Sequence, residues 1–267
     1  MLGKISKNNV CLLITGCISP NQSQSNIYLI DIKEREHQYV DSIKFYICNT
    51  EIEKIVFCEN SNFSSSFMEE LDSFAKNNGK VFEWLSFKGD EIKVQQKGKG
   101  YGEGEILKYA LRNSKVLNSV EYFFKVTGRL KVINFNSIFN KLSTHTYFNY
   151  DIYRSNAFDT RFYFVEKSFY LKYLEDLYLY VREDKDDIVA LEDIFYEKLS
   201  NQKIRCLPYF PKIEGLSGGN GTDYSKTLQR SYLFYNILCS LGIFNVFYPF
   251  YITRKRIIME QVGKHEK

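Results

Sequence analysis

Short apolar runs alternate with helical apolar spacings through the first half of the chain. Val10–Thr15 is an apolar run of strand length, and Val40, Ile43 and Ile47 then recur at helical spacing. Lys54–Cys58 predicts a second strand, closed by the polar Glu59-Asn60-Ser61-Asn62. Phe67, Leu71, Phe74 and Ala75 predict a second helix, stopped by Asn77-Asn78-Gly79. Val81–Phe87 predicts a third strand, Ile106, Leu107, Ala110 and Leu111 a third helix, and Tyr122–Val126 a fourth strand. Strands and helices alternating at this pace predict an α/β fold: a mostly parallel, Rossmann-like sheet with helices on both faces. Ligands of such sheets bind beyond the carboxyl ends of the strands. Here those ends are Thr15-Gly16, Glu59-Asn60, the loop after Phe87, and Thr127-Gly128-Arg129.

Beyond Phe139 the pattern loosens. Phe148–Tyr153 and Phe158–Val165 read as strands, Ser168–Val181 and Asp187–Ser200 as helices. No repeat or flexible linker intervenes, so the second half is expected to pack on the first. The expected organisation is a catalytic domain over 1–222, with a nucleotide-sugar half (1–135) and an acceptor half (136–222). A helical, aromatic C-terminal extension over 223–267 follows.

The 267 residues are 44% apolar and 25% charged, which excludes wholesale disorder. A formal charge of +4 does not mark a nucleic-acid binder, although it permits a bias toward phosphate or anionic lipid. The six cysteines form no CxxC pair and read as reduced core thiols of a cytoplasmic protein; the three histidines are scattered, so a Cys/His zinc site is not expected.

Two segments bear on membranes. Ile14-Thr15-Gly16-Cys17 resembles a lipoprotein cleavage box, but the apolar run before it is too short, and a buried strand is expected instead. Ser231–Thr253 carries no formal charge and is followed at once by Arg254-Lys255-Arg256. Asn236, Gly242, Asn245 and Pro249 interrupt it, so a core helix is expected; peripheral contact with an anionic membrane surface is the functional alternative.

Glycine placement gives the sharpest local signal. Gly98, Gly100, Gly102 and Gly104 open the third helix beside Lys97 and Lys99. A glycine loop feeding a helix N-terminus offers free N–H groups to an anion, so Lys97, Lys99, Gly100, Tyr101, Gly102 and Glu103 are donor-binding candidates. The run is neither a P-loop nor the dinucleotide fingerprint. Gly215, Gly218, Gly219 and Gly221 lie in Pro211–Asp223, a loop suited to a lid, with Ser217 and Gly218 as candidate acceptor contacts.

Lys125, Arg129 and Lys131 alternate on one face of an extended chain through Thr127 and Gly128, as would suit a diphosphate. Thr15, Gly16 and Glu59 complete the donor-side candidates. Ile188, Leu191, Phe195 and Leu199 define an apolar helical stripe that includes Glu192, with Asp193 at its margin. An inward carboxylate suits a general base, or else a structural ion pair. Glu183-Asp184-Asp186-Asp187 reads as helix capping and a solvated turn. Asp159 and Arg161 share a strand face, able to bind a sugar or to pair with each other.

In organisation, residues 8–220 resemble a GT-A-type glycosyltransferase of the kind that builds bacterial capsule, lipopolysaccharide and other surface glycans. The resemblance is carried by the early strand ends, the glycine-bearing Lys97–Leu111 segment, a strand end at 125–129, and Leu191-Glu192-Asp193. It implies a nucleotide-sugar donor, a glycan or lipid-linked glycan acceptor, and action at the inner face of the plasma membrane. In that family an acidic DxD motif binds a divalent metal after the fourth strand. KVTGR stands there instead, so no cofactor is expected, a divalent metal (Mg or Mn) being the alternative; Arg129, Lys125 or Lys99 would neutralise the leaving diphosphate, and Asp193 or Glu192 would be the base of an inverting transfer. A sugar nucleotidyltransferase and a non-catalytic carbohydrate- or partner-binding module are the alternatives.

Overall fold

The computed structural model describes residues 5–20, 31–152, 154, 156–183, 188–200, 202–218, 221–227 and 232–243. Gly219, Asp184, Asp186, Asp187 and Arg254-Lys255-Arg256 lie outside them, as do Ser231 and residues 244–253 of the uncharged C-terminal stretch.

The elements of the first half follow the apolar pattern. They are β1 (Val10–Gly16), α1 (Ile32–Asn49), β2 (Lys54–Glu59), α2 (Phe67–Asn77), β3 (Val81–Ser86), α3 (Glu91–Lys97), α4 (Lys99–Asn113), α5 (Lys115–Asn118) and β4 (Tyr122–Thr127). Then come β5 (Lys131–Val132), α6 (Phe135–Phe139), β6 (Phe162–Glu166), α7 (Lys167–Tyr173) and a 3₁₀ turn, Leu177–Tyr180. Next are α8 (Leu191–Leu199), β7 (Ile213–Glu214), α9 (Tyr224–Thr227) and α10 (Tyr232–Ser240).

The main sheet has the order β3-β2-β1-β4-β6; its first four strands are parallel and β6 runs antiparallel to β4. β1 is buried along its whole length, which is why it reads as an unbroken apolar run. Side chains alternate between two cores. Leu12, Ile14, Phe57 and Phe124 pack with α1, α2 and α6; Cys11, Leu13, Cys58 and Phe123 pack with α4, α7 and α8. This is the expected α/β architecture, a mostly parallel sheet between helical layers.

Four readings of the second half need correction. Phe148–Tyr153 forms no strand: Tyr147 and Tyr150 make isolated bridges, and Phe148 packs its ring on Phe158, Tyr163 and Phe195. Phe158–Val165 contracts to β6, because the chain turns at Thr160 and Arg161 before it. Ser168–Val181 divides into α7 and the 3₁₀ turn. α8 begins only at Leu191, leaving Ile188 exposed and off the helical stripe.

All described cysteines are free thiols. Cys11, Cys58, Cys206 and Cys239 are buried, and burial pushes each thiol up. Among the described residues no helix is long and apolar enough to cross a membrane.

Candidate functional site

The carboxyl ends of β1 and β4 open into a cavity of about 530 Å³. Thr15, Gly16, Lys125 and Thr127 line its sheet end, and Lys99, Gly100, Gly102 and Glu103 bring in the first turns of α4. Arg129, Arg161, Glu192, Ser217 and Gly218 also line it. The structure thus gathers residues from six separated stretches that the sequence nominated one by one.

The nominated cations do not act alike. Lys125 is almost completely buried, and its ammonium pairs with Glu103 Oε1 at 2.5 Å. It also donates to Thr127 Oγ1 at 3.0 Å and to the Thr160 carbonyl at 2.7 Å, while Thr15 Oγ1 donates to Glu103 at 2.7 Å. This is a compensated buried pair, which corrects the picture of Lys125 as a free phosphate clamp. Lys131 leaves the site entirely: the chain turns at Gly128, and Lys131 pairs with Asp41. Lys97 is on the far side of α4, donating to the Leu179 carbonyl and lying 5.6 Å from the Tyr101 ring, which is itself buried. Neither Lys97 nor Tyr101 lines the cavity.

Arg129 is different. It is only 9% exposed, yet among the described residues no carboxylate pairs with it. Nη1 donates to Gln38 Oε1 at 3.0 Å, and the guanidinium lies 5.9 Å from the Tyr39 ring. Burial pulls its pKa below the usual value, and the neighbouring Arg35 acts in the same direction. An Arg nevertheless stays charged at neutral pH. Arg35 is itself buried and donates from Nε to the carbonyls of Cys17 and Ile18 at 3.2 and 3.1 Å, fixing the end of β1. Arg35, Lys99, Lys125, Arg129, Arg154 and Arg161 line the cavity against Glu103, Glu183 and Glu192, so its walls are net positive. An anion is the ligand such walls favour.

The glycine-rich segment is corrected as well. Gly100, Gly102 and Gly104 are inside α4, not in a loop before it. They serve close packing: a Cβ at Gly104 would come within 2.0 Å of Tyr178 Cβ. Gly98 alone has a positive φ, 102°, at the junction of α3 and α4. The N–H groups that open α4 are already engaged, because the Glu183 carboxylate accepts from Lys99 N at 2.8 Å and from Gly100 N at 3.2 Å. Glu183 therefore caps α4 and is no part of a solvated turn. Burial, and after it the charge of Glu192, raises its pKa.

Glu59 and Gly128 prove to be buttresses. Glu59 is fully buried, accepting from Ser61 N at 2.8 Å and Phe63 N at 2.9 Å. Gly128 donates to the Thr15 carbonyl at 2.8 Å, and a Cβ there would stand 2.3 Å from that oxygen.

The two adjacent carboxylates of α8 part company. Glu192 faces the cavity and accepts from Thr160 Oγ1 at 2.7 Å. Asp193 turns away: Arg154 Nη2 donates to both its oxygens at 2.8 and 2.7 Å, and Ala190 N donates to Oδ2 at 2.9 Å. Asp193 thus caps α8, which removes it from the base candidates. Asp159 and Arg161 form a bidentate pair at 2.8 and 2.7 Å, with the guanidinium 4.6 Å from the Tyr224 ring. Arg161 lines the cavity and Asp159 stands behind it.

Residues 215–217 and 222–224 lie against each other. Leu216 bridges Asp223, Ser217 N donates to Thr222 O at 2.8 Å, and Tyr224 N donates to Gly215 O at 3.1 Å. Gly218 lies against Arg129, where a Cβ would come within 2.7 Å of Nη2. Sequence reasoning missed Arg35, Tyr39, Arg154, Thr160 and Tyr224. Arg35 carried a usable signal, since it precedes Tyr39 by one helical turn on the buried face of α1.

The position of the resembled family's acidic motif presents Lys125, Thr127 and Arg129. Lys125 and Arg129 are cations and do not ligate a divalent metal, so of these three only the Thr127 hydroxyl offers an oxygen ligand.

No family model and no curated protein matches the chain. Solved structures do match. A protein described as a nucleotide-diphospho-sugar transferase from Desulfovibrio desulfuricans is 11% identical, with 73% of this chain and 76% of that one covered at a TM-score of 0.43. A cytidylyltransferase from Leptospira borgpetersenii is 14% identical, with 73% and 74% covered at a TM-score of 0.38. A protein described as a glucose-1-phosphate thymidylyltransferase from Bacillus anthracis is 13% identical, with 87% and 95% covered at a TM-score of 0.42.

Proposed function

We propose that the chain is a nucleotide-sugar-dependent glycosyltransferase, moving a sugar to a glycan acceptor in bacterial surface-polysaccharide synthesis. The observation that carries this reading is Arg129: a buried guanidinium without a carboxylate partner among the described residues, at a strand end, in a net-positive cavity. Burying an uncompensated charge is costly, so such a group suits an anion that arrives from outside.

In this reading the donor diphosphate lies against Arg129, with Arg35 holding the end of β1 beside it. Glu192, oriented by the Thr160 hydroxyl, takes the proton from the acceptor hydroxyl. The acceptor oxygen bonds to the anomeric carbon as the bond from that carbon to the diphosphate oxygen breaks, leaving negative charge on the diphosphate beside Arg129. Attack opposite the leaving group inverts configuration. Leu216, Ser217, Gly218 and Tyr224 close over the donor and exclude water. A lipid-linked acceptor at a membrane surface accords with α10, whose Leu233, Phe234 and Ile237 are exposed.

The test is thermal-shift screening with UDP-, GDP- and CMP-sugars, with and without chelator. Stabilisation by one nucleotide diphosphate sugar, absent in Arg129→Ala, is expected. No response to any nucleotide would overturn the reading. Turnover of a nucleoside triphosphate with a sugar phosphate would replace it by nucleotidyl transfer.

A further inference from the structure

Arg35, Gln38, Tyr39, Ser42 and Tyr46 recur at helical spacing along one face of α1. They hold the chain beyond β1 and beyond β4. Cys17 N donates to Tyr39 Oη at 3.0 Å, and Arg35 binds the Cys17 and Ile18 carbonyls. Ser42 Oγ and Tyr46 Oη donate to the Leu130 carbonyl at 3.1 and 2.9 Å, and Val132 N donates to Tyr46 Oη at 3.0 Å. The backbone that follows Arg129 is thereby anchored to α1.

Gln38 acts on the Arg129 side chain itself. Its Oε1 accepts from Arg129 Nη1 at 3.0 Å, and its Nε2 donates to Glu34 Oε1 at 3.3 Å. The amide is held at both ends, oxygen toward the guanidinium and nitrogen toward the carboxylate one turn earlier. A neutral carbonyl orients the guanidinium and leaves its charge whole, whereas a carboxylate at the same place would cancel it. The groups around the pair leave this arrangement undisturbed. Arg35 on α1 is a second cation beside Arg129, Glu34 meets the amide, and Asp41 pairs with Lys131. Tyr39 and Cys17 are the other titratable neighbours of Arg129. Residues 215–218, which pack on Arg129 at Gly218, contain no charged residue, and neither do residues 21–30 ahead of α1.

We infer that Gln38 is a positioning residue: it aims Arg129 at an incoming anion and keeps it unneutralised. That the anion is a donor diphosphate rests on the transferase reading; the hold of Gln38 on Arg129 does not.

The test uses the full chain and Gln38→Glu, which turns the amide into a carboxylate at nearly constant size. Without any ligand, Gln38→Glu is expected to melt about 2 °C or more above the parent at neutral pH, through the ion pair it makes with Arg129. A carboxyl lowered by that pair stabilises the fold above the ordinary Glu value of about 4.3, and the gain is lost as pH falls through the lowered value. The difference between variant and parent should therefore vanish toward about pH 3, and it should be absent throughout in an Arg129→Ala background. Calorimetry at neutral pH uses UDP, GDP and inorganic pyrophosphate; whichever binds the parent is expected to bind Gln38→Glu about tenfold more weakly. Gln38→Met, neutral and of similar size, is expected to lose less. A Gln38→Glu melting temperature at or below that of the parent, a gain that persists in the Arg129→Ala background, undiminished binding, or a Gln38→Met loss as large as that of Gln38→Glu would overturn the inference. If no probe binds the parent, the donor reading fails while the melting comparison still decides the role of Gln38.

Discussion

The Glu183 carboxylate accepts hydrogen bonds from the backbone N–H groups of Lys99 and Gly100, the first two residues of α4. A residue far along the chain thus fills the place that a ligand phosphate was expected to take. The expectation was reasonable, because the partial positive charge of a helix N-terminus attracts any anion. What the local sequence does not show is that the protein supplies its own.

This arrangement makes the glycines of α4 packing residues. Gly104→Ala is expected to destabilise the fold by about 1–3 kcal/mol, although alanine is the better helix former by about 1 kcal/mol. The clash prevails because the added Cβ would meet the Cβ and ring of Tyr178, not the tip of a flexible side chain. Thermal or denaturant unfolding measures it, and a variant as stable as the parent would refute the packing role.

Removing Arg129 separates function from stability. Arg129→Ala is expected to weaken binding of a nucleoside diphosphate by about tenfold or more, the scale of a lost charge-assisted contact. The melting temperature is expected to hold or rise, since the variant no longer buries a charge without a carboxylate partner among the described residues. Calorimetry and a melting curve on the same preparation check both halves.

Adjacent carboxylates on α8 are expected to give opposite phenotypes. Glu192→Gln should abolish transfer while nucleotide binding and stability persist. Asp193→Ala should cost about 0.5–2 kcal/mol of stability, as the cap on Ala190 N is lost, and leave residual turnover in the folded fraction. Turnover and unfolding measured side by side distinguish them; full activity in Glu192→Gln would refute its assignment as base.

The Asp159–Arg161 pair predicts an acid-labile fold. Burial alone would raise the Asp159 carboxyl, but the Arg161 guanidinium and its hydrogen bonds prevail and hold it below the usual value. A carboxyl lowered by folding stabilises the native state above its ordinary pKa. That contribution is lost as pH falls from the ordinary value through the lowered one. Denaturant midpoints taken from about pH 7 to about pH 3 should therefore fall on the acid side. The acid limb should be shallower in Asp159→Asn/Arg161→Met.

The inner parallel strands were legible because they are buried on both faces and so spell continuous apolar runs, as Leu12–Ile14 and Val56–Cys58 do. The aromatic stretch near Phe148 misled because bulky rings favour strands yet here fill an irregular core around Tyr163 and Phe195. At the site, Arg129 and Glu192 were legible as charges in apolar or glycine-marked surroundings. The partners that decide what a group does were not: Glu103 for the Lys125 ammonium, Arg154 for the Asp193 carboxylate and Glu183 for the Lys99 backbone N–H come from distant segments. Periodicity reports which face a residue occupies, and only the tertiary structure reports who meets it there.

The pairing of Lys125 with Glu103 in the floor has a consequence for how the site can change over time. Its charges already cancel, and three elements lock the ammonium in place, so the floor supplies rigidity and little field of its own. Under the proposed function, selectivity for one anion over another would then rest with the groups around Arg129, among them Leu216, Ser217, Gly218 and Tyr224. Diversification would be free to rewrite those positions while the foundation stays as it is.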